Sequence, residues 1–189
     1  MEIFVNTFFE TRVEQLLELA GRVEKAFSSA GLEYRVVGGL AAYLYIEEKE
    51  PDAGRLTKDI DILVRREDLA KIAQAVEPLG LQYRHAAGVD MLVQTSAPAA
   101  RRAVHLIFAG EKVRQEYPEA APEVAACRTI RQIRIVPLAD LVRMKLVSFR
   151  LRDQTHLKDL DEAGFITRDI ENGFSEVLRE RLAQVRAHE

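Results

Sequence analysis

The chain has 189 residues, 48% hydrophobic and 30% charged, a balance ordinary for one globular core with or without a small helical addition. With 27 basic and 30 acidic residues the formal charge is −3, so global charge predicts neither a nucleic-acid nor a membrane partner. The single cysteine, Cys127, excludes an internal disulfide and a paired-cysteine metal site.

No run approaches the roughly 18 apolar residues of a membrane span. The start, MEIFVNTFFETRVEQ, lacks the basic region and long apolar stretch of a secretory signal. A cytoplasmic chain with no membrane partner is the expectation.

In chain order, TRVEQLLELAGRVEKAFSSAG sets Val13, Leu16, Leu17, Ala20, Val23 and Phe27 at helical spacing, with Gly31 as the stop. YRVV reads as a short strand, broken by Gly38-Gly39 before a helix of LAAYLYIEE character. The Pro, Asp and Gly of EKEPDAGR mark a loop, and DIDILV is the next strand. REDLAKIAQAVEPLG follows as a helix, acidic in its first turn.

LQYRH, VDMLVQ and AVHLIFAG are three further strands. GEKVRQEYPEAAPEVAACRT is an irregular connection, too long for a routine loop, and part of it is expected to cover a site. RQIRIV is the last strand, and Pro137 opens the helix LADLVRMKLVSFR. Gly164 and Asn172-Gly173 punctuate a helical tail. The order predicts a mixed α/β (α+β) sheet flanked by helices over residues 1–136, with a helical C-terminal region over 137–189 packed on it.

Alternation along a strand turns Asp59 and Asp61 to one face and Ile60 and Ile62 to the other. Two carboxylates roughly 6–7 Å apart repel each other if buried alone. A hard divalent ion, Mg²⁺ or Mn²⁺, removes that penalty, whereas an amphipathic strand removes it by facing water. Gly38-Gly39 likewise has two readings: a backbone turn that admits a phosphate at a helix start, or tight strand–helix packing.

The combination of strand, double glycine, helix and then T-x-D-h-D on a second strand resembles the polymerase-β-like nucleotidyltransferase superfamily. Val36–Gly39, Arg55 and Thr57–Ile62 resemble its AbiE-type toxin and minimal nucleotidyltransferase branch, and VPLADLVRMKLVSFRLRDQTHLKDL extends the likeness over residues 30–160. The resemblance implies that Gly38, Gly39 and Thr57 bind the nucleotide and that Asp59 and Asp61 hold catalytic metal, Mg²⁺ or Mn²⁺. It implies an NTP as substrate, RNA, protein or a small molecule as acceptor, and a toxin–antitoxin setting with an antitoxin partner. Lys145 would place a charge near the triphosphate, and it reads equally as a solvated lysine on an apolar helix.

The chain departs from the family at the third carboxylate. The corresponding strand is AVHLIFAG, so His105 stands at that catalytic position, with Asp90 on the preceding strand as the other candidate metal ligand if the two strands pair antiparallel. Imidazole brings no negative charge and prefers softer ions than Mg²⁺. Two outcomes follow: a working transferase with a variant site, or a homologue that has lost chemistry and binds a nucleotide or partner. His85, His156 and His188 have no comparable context. Arg101, Arg102, Lys112 and Arg114 suggest a local basic rim.

Overall fold

The computed structural model describes residues 2–51, 53–55, 57–96 and 103–187, with side chains from residue 13 onward. Arg101, Arg102 and His188 lie outside the described residues. The helices are α1 (Glu2–Ser29), α2 (Gly38–Lys49), α3 (Leu69–Val76), α4 (Leu138–Ser148), α5 (Leu151–Glu162), α6 (Arg168–Asn172) and α7 (Glu176–Ala187). The strands are β1 (Tyr34–Val37), β2 (Ile60–Val64), β3 (Leu81–Ala86), β4 (Val89–Gln94), β5 (Val104–Phe108), β6 (Arg128–Ile130) and β7 (Ile133–Ile135).

The seven strands form one open sheet in the order β3-β4-β5-β2-β1-β7-β6. β2 runs parallel to β5 and β1 to β7, and the other neighbours are antiparallel. This is a mixed α+β architecture with helices flanking the sheet.

Alternation sorts the central strands. Ile60, Ile62 and Val64 of β2 pair with Val104, Leu106 and Phe108 of β5, and all six are buried. The intervening register positions pair Asp61 with His105. The apolar face thus anchors the two strands while the other face presents polar groups beside each other.

α2 is buried from Leu40 through Ile46, as expected of a helix apolar on all sides. It packs on β1 and β2, α4 and α5 pack on it, and α7 covers α4 and α5. Tyr45, at the centre of α2, donates to the Val136 carbonyl at 3.0 Å, joining it to the chain that leads into α4. One connected set of buried apolar residues runs from Val13 of α1 to Val185 of α7.

Two differences from the sequence reading are local. The last strand, RQIRIV, is the second half of a hairpin: β6 and β7 are joined by Arg131 and Gln132, both with positive φ. The first helix begins nine residues ahead of the periodic segment, at Glu2.

Candidate active site

β1 ends at Val37, which lies opposite Asp61 of β2. The chain then enters α2 through Gly38, whose φ of +69° is open to glycine and strained for other residues. A side chain there would overlap the Asp61 carboxylate, because a Cβ at Gly38 meets Asp61 Oδ2 at once and Cγ at 2.9 Å. The first turn of α2 and the Asp61 carboxylate are therefore packed against each other with no side chain between them.

Gly39 has a different constraint. Its φ is not positive, but a Cβ would stand 2.5 Å from Thr57 Oγ1 and 3.6 Å from His156 Cε1. Thr57 is buried and donates from Oγ1 to the Asp59 carbonyl at 3.3 Å. Thr57 thus braces the turn from beneath, tying the approach to β2 to the start of α2. Arg55 pins the same segment to α5 through Asp159 at 2.5 Å.

Asp59 sits immediately before β2 and, with Asp61, lines a cavity of about 680 Å³. That volume is in the range of small-molecule and cofactor sites. Gly38, His105, Lys145, Arg150 and Tyr117 also line it, so residues far apart in sequence converge there. The irregular connection contributes Lys112, Val113, Arg114 and Glu119 to the same wall.

His105 faces Asp61 across the parallel β2–β5 pair, Nδ1 to Oδ1 at 3.1 Å, both side chains partly buried. Asp90 is not brought to this pair, although β4 and β5 do run antiparallel. The register sets Met91 opposite His105 and Asp90 opposite Leu106, so Asp90 lies on the other face of the sheet. Its Oδ1 accepts from Tyr83 Oη at 2.5 Å and lies 2.8 Å from His85 Nδ1. Burial acts to raise the Asp90 pKa, but these two hydrogen bonds hold it below the ordinary value. Asp90 still borders the same cavity as Asp59 and Asp61, held there by Tyr83 and His85 and not beside the Asp61–His105 pair.

Lys145 of α4 is not a solvated lysine: it is 3% exposed. Its Nζ is 2.8 Å from His156 Nδ1 and 3.7 Å from Asp153 Oδ1, both on α5. Burial lowers its pKa to about 8, against the opposing pull of Asp153 and Asp61. Burial, followed by the nearby Lys145 charge, lowers His156 to about 4, so its imidazole is neutral near pH 7. Asp153 accepts from Ser148 Oγ at 2.8 Å and Arg150 Nε at 2.7 Å. Arg150, Asp153 and His156 were not singled out by the sequence, because only the crossing of α4 and α5 gathers them.

No protein-family model and no curated protein matches the chain. Solved structures do. A nucleotidyltransferase-like antigenic protein from Paracoccidioides brasiliensis is 14% identical, with 94% of this chain and 89% of that one covered and a TM-score of 0.54. ANT(2")-Ia, crystallised in complex with adenylyl-2"-tobramycin, is 14% identical, with 92% and 98% covered and a TM-score of 0.52. The chain has the nucleotidyltransferase fold.

Within this nucleotidyltransferase fold, the donor set has a definite chemical character. Asp59 and Asp61 offer hard carboxylate oxygens to the cavity, whereas among the described residues no group of three or more His, Cys, Asp or Glu is arranged around one ion. Two carboxylates fit a Mg²⁺ or Mn²⁺ that keeps water or phosphate oxygens in its remaining positions. Lys145 and Arg150 add positive charge to the same wall, and both feel the charge of Asp61. Carboxylates, cations and a helix start within one cavity suit a phosphate-bearing ligand with its counter-ion.

Proposed function

We propose that the chain is a nucleotidyltransferase that moves a nucleoside monophosphate from an NTP to a hydroxyl acceptor, with release of pyrophosphate. The observation that carries this reading is the packing of Asp61 against the positive-φ Gly38, in the wall that Asp59 and Lys145 also line. Backbone N–H groups at the start of α2, from Gly38 and Gly39, bind phosphate oxygens, with the glycine at 38 leaving the approach to Asp61 open. Lys145 and Arg150 offset the remaining triphosphate charge. Asp59 and Asp61 hold Mg²⁺ or Mn²⁺, which when bound neutralises phosphate charge and polarises the attacking hydroxyl. The chain's own contribution is to fix the α-phosphate relative to the acceptor.

The acceptor is an RNA, a protein side chain or a small molecule. ANT(2")-Ia, of the same fold, was solved with an adenylylated small molecule, which supports the last class. The pattern of Val36–Gly39, Arg55 and Thr57–Ile62 supports an AbiE-type setting, a cytoplasmic chain with an antitoxin partner.

The test is transfer of label from each α-³²P-labelled NTP to total RNA, to protein and to aminoglycosides, in Mg²⁺ and in Mn²⁺. Label should move to one acceptor class in the wild type and not in Asp61→Asn. A second reading, a homologue that binds nucleotide without transferring it, is favoured by His105 at the position opposite Asp61. Tight NTP binding with no label transfer under any condition would select that reading.

A further inference from the structure

His156 is a buried titratable group with no part in the function proposed so far, and its surroundings argue that it has one. It is 5% exposed, and two contacts define its place. Its Nδ1 lies 2.8 Å from Lys145 Nζ, and its Cε1 lies 3.6 Å from where a Cβ of Gly39 would stand. One ring therefore bonds the lysine and stands beside the turn that opens α2.

A lysine ammonium on four flexible carbons has no fixed position unless its N–H groups find acceptors. Asp153 alone, at 3.7 Å, is beyond a normal hydrogen bond. A neutral imidazole lone pair at 2.8 Å supplies the missing acceptor. We propose that His156 is a positioning residue of the nucleotide site, its Nδ1 accepting from Lys145 Nζ and holding the ammonium in the cavity wall that Gly38 and Asp61 also line, ready for the β- and γ-phosphates of an NTP. The inference rests on the nucleotide reading of the cavity.

The charged groups around the pair are Asp61 from β2, and Arg150, Arg152, Asp153 and Asp159 from α5 and its start. From α7, Arg181 donates to the carbonyls of Leu146 and Val147 in the last turn of α4. Lys145 titrates at about 8 in this setting, so NTP affinity falls as pH rises through that value. Removing the acceptor disfavours the charged lysine further and moves that fall to lower pH.

The experiment is calorimetric titration of ATP, GTP, CTP and UTP with Mg²⁺ from pH 6.5 to 9.5, using whichever binds the full-length chain most tightly. The variants are His156→Leu, His156→Gln, His156→Asn and Lys145→Met. Asn places an amide oxygen near the Nδ1 position, whereas Gln reaches toward Nε2. The expected result is an alkaline fall moved down by about one pH unit in His156→Leu and His156→Gln, an affinity loss of about fivefold at pH 8. His156→Asn should stay within about threefold of wild type, and Lys145→Met should lose the pH dependence altogether.

If Leu proves unfolded, the Gln and Asn variants make the same comparison. A wild-type alkaline limb in the Gln variant overturns the proposal while leaving the nucleotide reading intact, as does equal loss in Gln and Asn. Absence of NTP binding by the wild type overturns both.

Discussion

At Gly38 one backbone angle and one carboxylate occupy the space that a methyl group would need. Gly38→Ala must either move Asp61 or distort the start of α2, at a cost of about 1–3 kcal/mol. Thermal melting should report that loss, and Mg²⁺–NTP affinity should fall by more than the melting shift accounts for. Unchanged affinity in a folded Gly38→Ala protein would mean that the turn serves packing alone. His105 is the second decisive residue. His105→Asp puts a carboxylate opposite Asp61, adding a hard anionic ligand where imidazole now bonds Oδ1. Mg²⁺ binding should tighten, as read by metal titration with NTP present. Equal Mg²⁺ affinity in His105→Asp and wild type would remove position 105 from the metal set.

At the scale of elements, the β1–Gly-Gly–α2–β2 unit was legible because its signals are local: an apolar run, a break, and alternating aspartates. The face that Asp90 occupies was not legible, since strand pairing can be inferred from hydrophobic runs but a one-residue register cannot. The cluster of Lys145, Asp153 and His156 was hidden for a related reason. Its members share no spacing motif and meet only where α4 and α5 cross. The β6–β7 hairpin was missed because its turn residues, Arg131 and Gln132, carry no Asn-Gly signature, yet both take positive φ. Replacing them with Asn-Gly should stabilise the protein by about 1 kcal/mol, relieving left-handed strain. That corresponds to a rise in Tm of roughly 2–4 °C for a chain of this size. A lower Tm would show that the Arg131 and Gln132 side chains support the hairpin by other contacts.

Across the whole molecule, pH should act on stability through the buried α4–α5 cluster. His156 has a folded pKa of about 4 against an ordinary 6.5, so the unfolded chain binds the extra proton between those values. The neutral-histidine contribution is complete above pH 6.5 and is lost as pH falls towards 4. Asp153 works in the same direction: burial opposes its ionisation, but Arg150, Lys145 and Ser148 hold its pKa below the ordinary value. Its contribution also disappears as pH falls through the folded pKa. Urea unfolding at pH 7 and pH 4.5 should show His156→Asn losing roughly 2 kcal/mol less than wild type over that interval. Equal losses would place the acid sensitivity elsewhere.

The central claim is that Asp59, Asp61 and the Gly38 turn form one metal-dependent NTP site, and equilibrium binding tests it without knowledge of the acceptor. Each NTP would be titrated into wild type, Asp59→Asn and Asp61→Asn, with Mg²⁺ and with EDTA, after melting curves establish that the variants are folded. The account predicts that the wild type binds one or more NTPs in Mg²⁺, that EDTA weakens that binding strongly, and that each Asn variant behaves in Mg²⁺ as the wild type does in EDTA. Binding that ignores Mg²⁺, or folded Asn variants that bind Mg²⁺–NTP as tightly as wild type, would contradict it.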